Sequence, residues 1–155
     1  MEFVISVLVV EDEEHIRQII KYNLELEGFT VQVAKDGATG FEMAHSDPKP
    51  TVILLDWMMP GMDGMQVLSA LRRDEYTEKI PVIMLTAKRT IGNIEDAFET
   101  KADGYITKPF DPTVLGEEIR KKLKECLSNR RKYWKDEDQE KPDSPKKRDP
   151  VNLVG

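Results

Sequence analysis

Short aliphatic runs alternate along this chain with segments of helical periodicity, and few folds accommodate that order. Val4–Val10 is a β-branched run, and His15–Glu27 follows it with Ile16, Ile19, Ile20, Leu24 and Leu26 at near-helical spacing before a stop at Gly28. Thr30–Ala34 reads as a second strand, Asp36-Gly37 as a turn and Ala38–Ser46 as a short helix. The third strand is Thr51–Leu55. Asp63 then caps a helix over Gly64–Arg73 that buries Val67, Leu68 and Leu71. Pro81 opens a fourth strand, Val82–Leu85, and Ile91–Thr100 is a weaker helix with Gly92 and Asn93 near its start. Tyr105-Ile106-Thr107 is a short fifth strand. Asp111-Pro112 begins the last helix, which carries Val114, Leu115, Ile119, Leu123 and Leu127 on one face. Several strands are apolar on both faces. Five β-α units of this kind predict an α/β, doubly wound, five-stranded parallel sheet covered by helices on each side.

In such a sheet, functional groups gather beyond the carboxyl ends of the strands. Strand one ends at Glu11-Asp12, strand three at Asp56, strand four at Thr86, and strand five at Thr107-Lys108-Pro109. With strands one, three, four and five side by side, three carboxylates, a hydroxyl and an ammonium meet at one edge. Clustered carboxylates repel unless a cation joins them, and a few hard oxygen ligands suit Mg²⁺. Glu11, Asp12 and Asp56 therefore suggest a partly built Mg²⁺ site, which the Met58 carbonyl is placed to complete. The plainer reading of Glu11-Asp12 alone is an acidic cluster at a helix N-terminus, favourable to the helix dipole. Taken singly, Lys108 is a loop lysine and Thr86 a strand-end hydroxyl. A carboxylate beside Mg²⁺ is a nucleophile for a phosphoryl group, with Lys108 and Thr86 placed to meet the phosphoryl oxygens.

The pieces VLVVEDEEHIR, VILLDWMMPGMDG, PVIMLTA and ADGYITKPF, in that order and spacing, make residues 4–128 resemble a response-regulator receiver domain, the phosphoacceptor module of two-component signalling. The resemblance implies a flavodoxin-like fold with strand order 2-1-3-4-5. It implies Asp56 as phosphoacceptor, and Glu11, Asp12, Asp56 and the Met58 carbonyl around Mg²⁺. Thr86 and Lys108 then contact the phosphoryl group, Tyr105 is the switch aromatic, and the Lys108–Pro109 bond is cis. A sensor histidine kinase or phosphotransfer protein is the implied donor. An unidentified output protein reads the surface made by residues 91–100, the fifth strand and the last helix, and the chain is a monomer or a phosphorylation-dependent dimer. The chain departs from the family at Lys101, where many relatives have glycine, at Gly104, and at Ile94 and Glu118 on the expected dimer face.

Charge and composition narrow the remaining classes. The net charge is -6, but residues 1–128 hold 15 Lys+Arg against 23 Asp+Glu and residues 129–155 hold 8 against 6. An acidic body does not predict direct nucleic-acid binding. Residues 129–155 are dominated by Asp, Glu, Lys and Pro and read as a charged, disordered tail. The N-terminal run enters EDEE without a basic leader, so it reads as a buried strand and not a signal peptide. No apolar run is long enough for membrane insertion. The single cysteine, Cys126, reads as a helix-face residue, and its isolation fits a reducing, cytoplasmic setting. An aspartyl-phosphate hydrolase needs a second acid two residues after Asp56, where this chain has Met58. A flavin carrier needs a phosphate cradle where it has Glu11–Glu14. The alternative that remains is a receiver belonging to a longer transcriptional regulator whose DNA-binding domain is absent from this chain.

Overall fold

The structure, a computed structural model, describes residues 4–87 and 102–140. The helix predicted over 91–100, with Ile94, and the following Lys101 lie outside the described residues, as does the chain after residue 140. In chain order the elements are β1 Ser6–Val10, α1 Glu14–Leu26, β2 Thr30–Ala34, α2 Gly37–Met43, β3 Val52–Asp56, α3 Gly64–Arg73, β4 Val82–Ala87 and β5 Gly104–Lys108. A turn of 3-10 helix, Pro112–Val114, then leads into α4, Leu115–Glu140. All strand pairs are parallel, in the order β2-β1-β3-β4-β5.

Side chains alternate across a strand, so each strand feeds two cores. Leu8, Val10, Ile53, Leu55, Val82 and Met84 face Ala44, Val67, Leu68 and Leu71 around α2 and α3. On the other face, Val7, Val9, Val52, Leu54, Ile83 and Leu85 meet Ile20 and Leu24 of α1 and Leu115, Ile119 and Leu123 of α4. Every residue of β3 is buried, which is why that strand shows no period-two pattern in the sequence.

Local chemistry starts the helices where the sequence predicts. Asp36 accepts from Thr39 N at 2.7 Å, and Asp63 and Gln66 form a reciprocal capping box at 2.9 and 3.0 Å. Gly28, at φ 92, turns the chain from α1 into β2 in a region that side chains rarely adopt. Other boundaries differ. Val4 lies outside β1 and is exposed, since no strand pairs with it. The buried stripe of α1 follows the i, i+4 row through Ile20 and Leu24; Ile19 and Leu26 point toward solvent, as do Val114 and Leu127. α2 is shorter than predicted, ending at Met43, whereas β4 extends through Thr86 to Ala87. The largest difference is α4, which continues to Glu140, so residues 129–140 are helical backbone and not an irregular segment. They contain no Gly or Pro, and Glu, Lys, Arg and Gln carry good helix propensity. The chain divides into two units between Leu123 and Lys124.

Candidate functional site

Two loops carry carboxylates to the carboxyl edge of the sheet. After β1, Glu11 N donates to Ala34 O at 3.1 Å, extending the β1–β2 ladder by one residue. The Glu11 side chain is thereby buried, and its Oε2 accepts from Glu13 N at 3.1 Å. Asp12, next in the chain, is exposed. On β3, Val10 pairs with Leu55, so Glu11 leaves its strand beside Asp56. Asp56 still belongs to its strand, pairs with Leu85 and is 3% exposed. Its Oδ1 accepts from Met58 N at 3.3 Å. The following loop turns at Gly61 (φ 75) and returns to the strand, where Gly64 N donates to Trp57 O at 2.9 Å. A Cβ at Gly64 would press on the Asp56 carbonyl and lie 2.7 Å from Trp57 Cα, so the return requires glycine.

Among the described residues one ammonium serves this cluster. Lys108 Nζ lies 3.2 Å from Glu11 Oε1 and 3.3 Å from Asp56 Oδ1. Ligand oxygens of Glu11, Asp12 and Asp56 all fall within 4.8 Å of one another. Burial pushes Glu11 up to about 7, with the Asp56 charge adding to it against the Glu13 amide and Lys108. Burial likewise raises Asp56, opposed by Lys108. For Lys108, burial favours the neutral amine, but the Asp56 and Glu11 charges outweigh it and its pKa is raised. Among the described residues, three carboxylates against one lysine leave negative charge in excess in a partly buried pocket. A hard divalent cation relieves that excess, and the exposed Asp12 provides the open side, so the donor set fits Mg²⁺.

The other predicted residues lie on β4, on β5 and in the loops that follow the strands. Thr86 is buried at the end of β4, and its hydroxyl donates to Ala87 O at 3.3 Å. Ala87 pairs with Lys108, which fixes the reach of the lysine from β5. Tyr105 pairs with Met84 and is half-buried; burial, with the nearby Asp103 charge, pushes its phenol up to about 12. The Lys108–Pro109 peptide is cis, as is Asp47–Pro48. Met58 is 65% exposed at the rim, with its side chain outside the buried cluster. Sequence reading passed over Arg17, whose guanidinium donates to both Glu11 O and Asp12 O. The available signal was a basic residue one turn inside a helix that follows an acidic pair.

A five-stranded 2-1-3-4-5 sheet with this carboxylate edge defines a class of signalling module, and residues 7–120 match the family model for the response regulator receiver domain. The chain belongs to that family. It is 44% identical over 113 residues to the phosphate regulon transcriptional regulatory protein PhoB of Pseudomonas aeruginosa, covering 71% of this chain and 48% of that protein. It is 41% identical over 121 residues to the DNA-binding dual master transcriptional regulator RpaA of Synechocystis, covering 76% of this chain and 48% of that protein. The chain thus spans about half the length of these curated relatives. Among solved structures, the chemotaxis protein CheY4 of Vibrio cholerae superposes with a TM-score of 0.71 at 28% identity, covering 77% of this chain and 98% of that one. Receiver domains act in signalling more than in metabolism, and they interact with histidine kinases and output domains. Among the described residues no helix is long and apolar enough to cross a membrane.

Proposed function

We propose that this receiver is a phosphorylation switch in which Asp56 accepts a phosphoryl group from a histidine kinase or phosphotransfer protein. The observation that carries this reading is the position of Lys108 between two buried carboxylates, 3.2 Å from Glu11 and 3.3 Å from Asp56. An oxygen of Asp56 attacks the donor's phosphorus. The new O–P bond forms as the donor's bond to phosphorus breaks, and the leaving group keeps that electron pair. Lys108 turns from pairing with carboxylates to pairing with phosphoryl oxygens, and the Thr86 hydroxyl donates to another. Glu11, Asp12, Asp56 and the Met58 carbonyl would hold Mg²⁺. When bound, Mg²⁺ would neutralise charge on the transferring oxygens. Tyr105, one strand beyond Thr86, then changes the surface that an output partner reads.

In this reading residues 1–128 form the receiver, residues 129–155 a charged extension, and the setting is cytoplasmic. A second reading follows from the relatives, whose names mark them as transcriptional regulators and whose length is about twice the matched region. There the output is transcription, through a DNA-binding domain of a longer regulator. Intact-mass analysis with acetyl phosphate tests the common core. A phosphate adduct should form with Mg²⁺, and neither with excess chelator nor in Asp56→Ala. An adduct that persists in Asp56→Ala removes the assignment.

A further inference from the structure

The geometry points to Arg17 as the positioning residue that aims the Glu11-Asp12 carboxylates at the metal, through the main chain and not through its charge. This rests on the reading of the carboxylate cluster as a divalent-cation site.

Arg17 Nη1 donates to Glu11 O at 2.9 Å and to Asp12 O at 3.0 Å. These are the carbonyls of the two acidic residues that the site takes from this loop. The residue is half-buried in the first turns of α1, where its own N donates to Glu13 O at 3.0 Å. Its guanidinium is therefore held by the helix, and the loop is held by the guanidinium. A carbonyl fixed on one side of a residue leaves its side chain few directions. With the carbonyls of Glu11 and Asp12 drawn toward α1, their side chains are set to turn back over the strand ends, where their oxygens lie within 4.8 Å of Asp56. The loop has little else to fix it: Glu13, at the cap of α1, makes no side-chain capping bond. Beyond the Glu11 amide bond to Ala34, its other ties among the described residues are the Glu13 N–H and the Lys108 ammonium, both made to the Glu11 carboxylate, which itself supplies a ligand oxygen. A loop held only through its ligand would loosen whenever that ligand turned to the cation. Arg17 removes that dependence.

The sign of the effect separates this role from simple electrostatics. A nearby positive charge repels a cation, so deleting Arg17 as a charge would tighten metal binding. Deleting it as an anchor would weaken binding, as losing an orienting group behind metal ligands does, by about tenfold. Mn²⁺ is the probe, since free Mn²⁺ is counted directly by electron paramagnetic resonance and takes the same oxygen ligands. We expect Arg17→Ala to raise the Mn²⁺ Kd about tenfold. Arg17→Lys keeps the charge but replaces the planar fork, and should show a smaller loss in the same direction. Both are measured well below the unfolding temperature, with far-UV circular dichroism as the check on folding. If Arg17→Ala fails to fold, Arg17→Lys alone is read. Affinity equal to or tighter than wild type in a folded variant overturns the assignment, even where the variant unfolds at lower temperature. A wild-type chain that binds no Mn²⁺ overturns both this assignment and the metal reading on which it rests.

Discussion

At the amino edge of the sheet, Asp103 Oδ2 accepts from Arg72 Nη2 at 2.8 Å and from Val82 N at 2.9 Å, while Asp103 N donates to Val82 O at 2.8 Å. At the carboxyl edge, 3% exposed Asp56 shares one lysine with fully buried Glu11, and Asp12 stands beside them. Both edges hold partly or fully buried acids, but only one matches each acid with its own partners. The amino edge repeats its pattern at His45, whose Nε2 lies 2.7 Å from Asp74 Oδ2 and whose Nδ1 lies 2.8 Å from Phe41 O, with Tyr76 stacked on the ring. Stability alone selects one-to-one matching, because an uncompensated buried charge is costly. The mismatch at the carboxyl edge is what the proposed Mg²⁺ and phosphoryl site would require.

Substitutions at the two edges should therefore move stability in opposite directions. The largest effect is expected at Asp103→Ala, which takes the acceptor from Arg72 and from the buried Val82 N–H. A loss of about 3 kcal/mol in urea unfolding is expected. A neutral result would mean that the amino edge is not held by charge matching. Next is Asp56→Asn, which removes one of three clustered charges. In chelator it should gain about 1–2 kcal/mol over wild type. Mg²⁺ at ten times its Kd should then stabilise wild type by about 1.4 kcal/mol and the variant by less. An Asp56→Asn protein less stable than wild type in chelator would erase the contrast between the edges.

The smallest effect belongs to pH at His45. Its pKa is raised, chiefly by the hydrogen bond to Asp74, and that of Asp74 is lowered, chiefly by the bond to His45. The histidine contribution is complete below its ordinary value of 6.5 and is lost as pH rises through its higher folded value. The aspartate contribution is present above 3.8 and is lost as pH falls through its lower folded value. The stability advantage of wild type over His45→Gln should thus shrink between pH 6 and pH 9. Taking the difference cancels Glu11, which titrates near 7 in both proteins. An advantage that stays constant with pH would show that His45 acts as a neutral ring.

The carboxyl edge was legible in the sequence because its chemistry is local. Glu11, Asp12, Asp56 and Lys108 each end an aliphatic run, and a parallel sheet gathers strand ends without further instruction. The Asp63 cap was readable for a similar reason, whereas the strand order came from the resemblance to the receiver family, and Asp36, read as part of a turn, proved to be a cap. The amino edge was not legible. Arg72 meets Asp103 across 31 positions and His45 meets Asp74 across 29, and no periodicity or cap rule connects such pairs. Arg17 was missed although it is only six residues from Glu11, because its partners are main-chain carbonyls, which every residue has. The length of α4 was misjudged for another reason. A helix without an apolar stripe still propagates when nothing interrupts it, so the end of amphipathic patterning at residue 128 did not mark the end of the helix.

The placement of Trp57 gives the proposed switch an optical reporter. Its indole is buried in the core beneath α2 and α3, while its amide bonds to Leu85 O and its carbonyl receives the Gly64 amide. Backbone and ring thus sit on opposite sides of one covalent junction, with the Asp56 carboxylate one residue upstream. A buried indole emits according to the electric field and the rigidity around it, both of which would change if charge arrived at Asp56. On the proposed reading, the Trp57 share of the ultraviolet emission, beside that of Trp134, would carry a record of occupancy from inside the hydrophobic layer, with no dye attached.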